Sequence, residues 1–342
     1  MWLEIFKNNK ITVTYNSEPQ PAKTIAKKSV ETSPMERPAN KMGLPTDHDT
    51  SRLEPHTRGV FQSRDHTSIY YEIYGQGKPL LLCYGLVCRR EHWRYQLACF
   101  AKKYQVILFD YRGHQFSSQP TNDQHLTLDW CAYDIEDLLT YLKVEEVVGI
   151  GHSMGVGVLT RAVVLDKSKF KAIIFICGTV KNPFERMFHS NRMNRVHQVS
   201  SVLFDVMPGV VSSLWQKLTQ NNIFNFILAS RLGFNADRSK DSDVNSYLEG
   251  VHQIPFSVFH ALIDDYTRFD GQSYLKQIEC PALIIAGEKD MITPKEVQDE
   301  IVSSLKNSEM HLIPEGSHNS HTDFPNEVNI AIDNFLEKIG YQ

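Results

Sequence analysis

Ser153 stands between two glycines in Gly151-His152-Ser153-Met154-Gly155, directly after the apolar run Val147-Val148-Gly149-Ile150 and before a helical pattern through Val158, Leu159 and Ala162. A serine so placed sits on a sharp strand-to-helix turn, with glycines where larger side chains would collide with strand or helix. Its hydroxyl then stands exposed at a helix N-terminus, where the dipole and free N–H groups favour a developing negative charge. Serine is a weak nucleophile at its free pKa and needs a base within hydrogen-bond reach. His318, in Ile313-Pro314-Glu315-Gly316-Ser317-His318, is the expected base, with His321 as the alternative. Its loop follows the last apolar run, and an open α/β sheet presents its chemistry at the C-terminal ends of its strands. The base in turn needs an acid to hold its tautomer and stabilise the imidazolium. Asp290, in Gly287-Glu288-Lys289-Asp290, fills that place, with Glu288 second. Three such side chains do acyl chemistry: His318 takes the proton of Ser153, the serine attacks a carbonyl carbon, and water then hydrolyses the acyl-enzyme.

The elements that must position these residues are legible from residue 58 onward. Gly59 to Ser63 and Thr67 to Tyr74 read as two antiparallel strands around a turn, the second alternating through Ile69, Tyr71 and Ile73. Short apolar runs follow at Pro79 to Tyr84, Val106 to Phe109, Val147 to Ile150, Ala172 to Ile176, Ala282 to Ala286 and Met310 to Ile313. Runs of this kind, alternating with helical stretches, predict strands of a parallel sheet buried on both faces. Leu128, Ala132, Ile135, Leu138, Leu139 and Leu142 form the apolar stripe of one helix. Thr293-Pro294-Lys295-Glu296 has the form of a capping box opening a helix through Val297, Ile301 and Leu305, and Pro325 to Ile339 gives a closing helix. Residues 181–270 hold helical patterns (Met187 to Val199, Val202 to Met207, Val210 to Leu228, Phe256 to Asp265) and no clear strand. They read as a helical cap inserted into a core of residues 58–180 and 271–342.

From Gly59 to Ile339 the chain resembles the α/β-hydrolase superfamily, within it the cap-bearing serine esterase and lactonase group that also holds haloperoxidase-like and carbon–carbon bond hydrolases. The resemblance rests on Gly151-His152-Ser153-Met154-Gly155, on Phe109-Asp110-Tyr111-Arg112-Gly113-His114, and on His318 followed by Asp323 and Pro325. The order Ser, Asp, His along the chain is the one this fold uses. The resemblance implies a mostly parallel central sheet flanked by helices, and an oxyanion hole made by the backbone N–H groups of Leu86 and Met154. An aspartate in place of Ser153 would have implied epoxide or haloalkane hydrolysis. The chain departs from the family at Tyr84-Gly85-Leu86, where a His-Gly pair is usual, at Gln115 and Ser117, and in its N-terminal arm.

Composition sets the outer limits. Hydrophobic residues make up 42% and charged residues 22% of 342, as in an ordinary globular chain. A net charge of -4 and the lack of a dense basic block argue against a nucleic-acid partner. No apolar run reaches the length of a membrane span, and the N-terminus lacks the pattern of a secretory signal, so a cytoplasmic location is expected. Cys83, Cys88, Cys99, Cys131, Cys177 and Cys280 have no metal-site spacing and read as buried free thiols; no cofactor or metal is expected. Residues 1–57 form an extension, expected to be largely flexible because of Pro19, Pro21, Pro34, Pro38, Pro45 and Pro55 among polar residues. At its start Trp2, Leu3, Ile5 and Phe6 make a small apolar foot for the body of the protein, a partner or a membrane surface. The expected partner is a small-molecule ester or lactone, with oligomeric state left open.

The cap sets substrate choice, and two groups in or near it bear on that. Phe224, Phe226, Ile227 and Leu228, with Met187, Phe188, Met193 and Trp215, form either the cap's own core or an apolar acyl pocket. Arg89, Arg90 and His92 follow the oxyanion loop and could hold a substrate carboxylate or phosphate, or be solvated. The alternatives to an ester or lactone hydrolase are a carbon–carbon hydrolase or acyltransferase with the same triad, and a ligand-binding protein on a hydrolase scaffold.

Overall fold

The computed structural model describes residues 53–220 and 223–342. The apolar foot and most of the proline-rich extension lie outside the described residues. Eight strands, β1 (Thr57–Gln62), β2 (Ser68–Tyr74), β3 (Pro79–Cys83), β4 (Gln105–Phe109), β5 (Val147–His152), β6 (Phe170–Ile176), β7 (Ala282–Gly287) and β8 (Ser308–Ile313), form one sheet in the order β1-β2-β4-β3-β5-β6-β7-β8. Only β1–β2 and β2–β4 pair antiparallel; every pairing from β4 through β8 is parallel. The mostly parallel α/β architecture expected from the apolar runs is the one found. The interior strands β3, β5, β6 and β7 are almost wholly buried, so their unbroken Val, Ile and Leu content follows from having helices on both faces.

Helices α1 (Arg94–Phe100), α2 (Leu128–Tyr141) and α3 (Met154–Leu165) join the first five strands to β6. Between β6 and β7 the chain leaves the sheet and forms the cap, with α4 (Arg192–Val206), α5 (Pro208–Leu218), α6 (Ile223–Leu232), α7 (Asp241–Gln253), α8 (Phe256–Arg268) and the short α9 (Gln272–Leu275). Helices α10 (Lys295–Ser304), α11 (Ser320–Asp323) and α12 (Pro325–Lys338) complete the core.

Several details differ from the sequence pattern, among them the expected helical stretch from Val210 to Leu228, which is divided between α5 and α6. The two segments expected around Val199 and Val202 are one helix, α4, and Pro208 opens α5, where its fixed φ and missing N–H suit a first helical turn. Helix α7 was not anticipated, because its buried Val244 and Leu248 are set among Asp, Asn, Ser and Glu. Thr293 does not cap α10, which starts at Lys295 without a side-chain cap; its hydroxyl donates to Asp290 instead, at 2.8 Å. All six cysteines are free, but Cys99 and Cys280 are only half-buried.

Candidate active site

Ser153 lies at the junction of β5 and α3 with φ +54° and ψ −120°, a left-handed backbone that an L-residue adopts only when its surroundings enforce it. The enforcement is visible at Gly155, where a Cβ would stand 2.3 Å from the carbonyl oxygen of Cys83. Any side chain there would push α3 off the end of β3 and undo the turn.

His318 and Asp290 complete a linear relay. The Ser153 hydroxyl lies 3.0 Å from His318 Nε2, and His318 Nδ1 lies 3.0 Å from Asp290 Oδ2 and 3.2 Å from Oδ1. A carboxylate only accepts, so Nδ1 carries the proton and Nε2 presents its lone pair to the serine. Asp290 also accepts from the Ile292 N–H (2.8 Å), the Thr293 N–H (2.9 Å) and the Thr293 hydroxyl. Four donors around one buried carboxylate fix its orientation, as a group that aims an imidazole must be fixed. Glu288, the second candidate acid, is exposed and accepts from the Glu315 N–H at 3.0 Å, away from His318. His321, the second candidate base, is fully buried on α11 against Trp93 and His152, and neither of its ring nitrogens has a partner among the described residues. Burial holds it neutral, with a pKa well below the ordinary value.

The loop after β3 passes directly over the serine. A Cβ on Gly85 would come within 2.9 Å of Ser153 Cβ, so the Gly85 backbone packs against the serine, and Leu86 beside it lines the same cavity as Ser153. Met154 is the first residue of α3, so its N–H precedes the helix's own acceptors. Tyr84, where a histidine is usual, turns away from the site: its hydroxyl donates to Asp110 Oδ1 at 3.3 Å and accepts from the Tyr111 N–H at 3.1 Å. Arg90 reaches the same carboxylate (3.0 Å) and Glu72 (2.5 Å), while burial pushes Asp110 up to about 6. Arg89 pairs with Glu249 of α7 at 2.5 Å. Both arginines are therefore engaged in holding the loop and the cap, and neither lines the cavity above Ser153.

That cavity measures about 450 Å³ and has Ser153, His318 and Leu86 on its floor. Its walls come mainly from the cap, with Met187, Met193, Leu228, Val251, Phe259 and Ile263 among them. No Lys, Arg, Asp or Glu lines it among the described residues. The apolar side chains of the cap thus divide: Met187, Phe188, Met193 and Leu228 face the cavity, while Phe226 packs on the small cap core of Phe234, Val244 and Leu248. Phe224 and Ile227 face outward, and Trp215 stacks on Phe259.

The alpha/beta hydrolase fold family matches residues 78–325, most of the chain. The chain belongs to the alpha/beta hydrolase fold family. It is 44% identical over 277 residues to the human serine hydrolase BPHL, covering 79% of this chain and 83% of that protein. The α/β-hydrolase architecture recurs in a thermophilic esterase from Thermogutta terrifontis (TM-score 0.66, 20% identity, 83% of this chain and 99% of the esterase). It also recurs in the enol-lactonase from Burkholderia xenovorans (TM-score 0.67, 16% identity, 82% and 100%). Family membership and the Ser–His–Asp arrangement together make this chain a serine hydrolase.

Within this α/β-hydrolase site the structure gives roles to two residues that the sequence offered only as parts of motifs. His152 is buried beside the serine and donates from Nε2 to the His318 carbonyl oxygen at 3.0 Å, anchoring the backbone of the base. Asp323 takes the Ser239 hydroxyl, the Ser317 hydroxyl and, at 2.9 Å, the Asn235 N–H, so one carboxylate ties the cap to the loop of His318. Burial pushes it up to about 7 against the pull of those donors. The signal for Asp323 was its place in the segment after His318; for His152 there was only its adjacency to the serine.

Proposed function

We propose that Ser153 is the nucleophile, His318 the general base and then acid, Asp290 the orienting carboxylate, and Leu86 and Met154 N–H the oxyanion donors, in hydrolysis of an uncharged, apolar carboxylic ester or lactone. The observation that carries the substrate class is the cavity: about 450 Å³, mainly apolar, free of charged side chains among the described residues, with the serine on its floor. Small-molecule sites of this size bury most of a ligand's surface. A charged acyl group entering it would leave water with no counter-ion to receive it, which disfavours anionic and cationic substrates. In the reaction the serine proton passes to His318 Nε2, the oxyanion rests on the two backbone amides, and His318 returns the proton to the leaving oxygen. Water activated by the same imidazole then releases the acid. One such donor contributes on the order of 3 kcal/mol to the transition state, so the loop at Leu86 matters as much as the base.

Relatives named as an esterase and an enol-lactonase support the acyl-oxygen reading. No helix of the described residues is long and apolar enough to cross a membrane. The test is turnover of p-nitrophenyl acetate, butyrate and octanoate, beside p-nitrophenyl succinate as an acyl group bearing a free carboxylate. The reading expects butyrate and octanoate to exceed acetate in kcat/KM and the succinate to be hydrolysed least. Preference for the charged ester, or no turnover of any ester, would sink it.

A further inference from the structure

We infer that the outer face of the cap, on α4, α5 and α6, is a docking surface for an anionic lipid bilayer. Along α4, Val199, Leu203 and Val206 recur at helical spacing and stand open to solvent, Val206 at 72% exposure. On α5 the same is true of Val210, Leu214 and Leu218, each four residues from the last. On α6, Ile223 and Phe224 are 74% and 70% exposed. Soluble monomers seldom leave apolar surface this extensive uncovered; a stretch of it marks a protein or membrane contact.

Two observations choose the membrane. The first is charge: between Arg192 and Leu232 the exposed ionisable side chains are Arg192, Arg195, Lys217 and Arg231 against Asp205 alone, in a chain whose net charge is -4. None of the four cations is in an ion pair among the described residues. Helices with valine, leucine and phenylalanine on one face and lysine or arginine beside it suit a surface of acyl chains under anionic headgroups. The second is continuity. Leu218, Leu228 and Leu232 belong both to this exposed surface and to the wall of the cavity above Ser153. A protein seated there would close over the mouth of the cavity, whereas a lipid surface would open it onto the phase in which apolar esters collect. The docking inference stands apart from the esterase reading, because vesicle binding is measured without turnover.

The experiment is co-sedimentation of the full chain with vesicles of phosphatidylcholine alone and of phosphatidylcholine with phosphatidylglycerol. The wild-type chain should partition onto the anionic vesicles about tenfold more strongly than onto the neutral ones. Val206→Asp with Phe224→Asp, neither of which lines the cavity, should lower that partition by about tenfold or more while leaving turnover of soluble p-nitrophenyl butyrate unchanged. Arg195→Glu with Lys217→Glu should abolish the preference for anionic vesicles. A wild-type chain that stays off both vesicles overturns the inference, as does binding that all four substitutions leave intact. A dimer in size-exclusion chromatography that Val206→Asp with Phe224→Asp splits would assign the face to a second copy and equally overturn it.

Discussion

Below the cavity, Asp290 accepts four hydrogen bonds, His318 is held at both ring nitrogens, and Arg90, Asp110 and Glu72 brace the loop of Leu86. Above it, α4 to α6 present apolar side chains to the cavity on one side and to solvent on the other. Even within the cap the contrast holds, since α7 is fastened to the core by Arg89 on Glu249 and by Arg94 and Tyr95 on Asp243. Directional bonds fix positions to a fraction of an ångström, which acyl transfer needs; apolar contact tolerates a range of shapes, which substrate selection can use. Changes to the floor are therefore expected to act on kcat and changes to the cap on KM.

The largest effect that would sharpen this division is at Ser153. Ser153→Ala should lower kcat/KM for p-nitrophenyl butyrate by on the order of 10^4-fold or more, since the nucleophile is gone while the strained backbone of the turn stays as it is. Asp290→Asn should lower kcat by about 10^3- to 10^4-fold, because the amide cannot hold His318 with its proton on Nδ1. In the cap, Phe259→Ala should raise KM for p-nitrophenyl octanoate by about tenfold and leave kcat within about threefold, the scale of one apolar group in a pocket. Steady-state kinetics on the three variants reads all of this, and a Phe259→Ala variant that loses kcat rather than KM would break the division of labour.

How far the sequence revealed each region follows the same contrast. Ser153, Asp290 and His318 lie at strand ends, where buried apolar runs and Gly-rich turns leave a local signature, and the structure brings all three within hydrogen-bond reach. The sheet was legible for the same reason: strands buried on both faces are written as continuous Val, Ile and Leu. The cap was legible as an insertion of helices, but the facing of its side chains was not, because its stripes serve two surfaces at once. Phe224 and Leu228, on one short helix, read alike as helical apolar positions, yet Phe224 faces solvent alone while Leu228 also lines the cavity. Helix α7 was hidden by its polar content, and Thr293 was assigned to a helix cap because its neighbourhood gives no sign that Asp290 competes for its hydroxyl.

A smaller effect probes the floor through pH, using two groups of opposite sign on α11. His321 is held neutral by burial, so below about pH 6.5 the unfolded chain takes up a proton that the folded chain refuses, and stability falls with pH. Asp323 is pushed up to about 7, so between that value and the ordinary carboxylate range the folded chain keeps a proton that the unfolded chain releases, and stability rises as pH falls. Between pH 7.5 and 5 the acid-induced drop in Tm should become shallower in His321→Phe and steeper in Asp323→Asn. Slopes that move together in the two variants would contradict the assignment.

The most direct measurement is reaction of the intact protein with a fluorophosphonate, followed by mass spectrometry of the protein and of its peptides. The account predicts a single adduct on Ser153, lost in Ser153→Ala and strongly slowed in His318→Ala. An adduct on another residue, or equal labelling of wild type and Ser153→Ala, would contradict it.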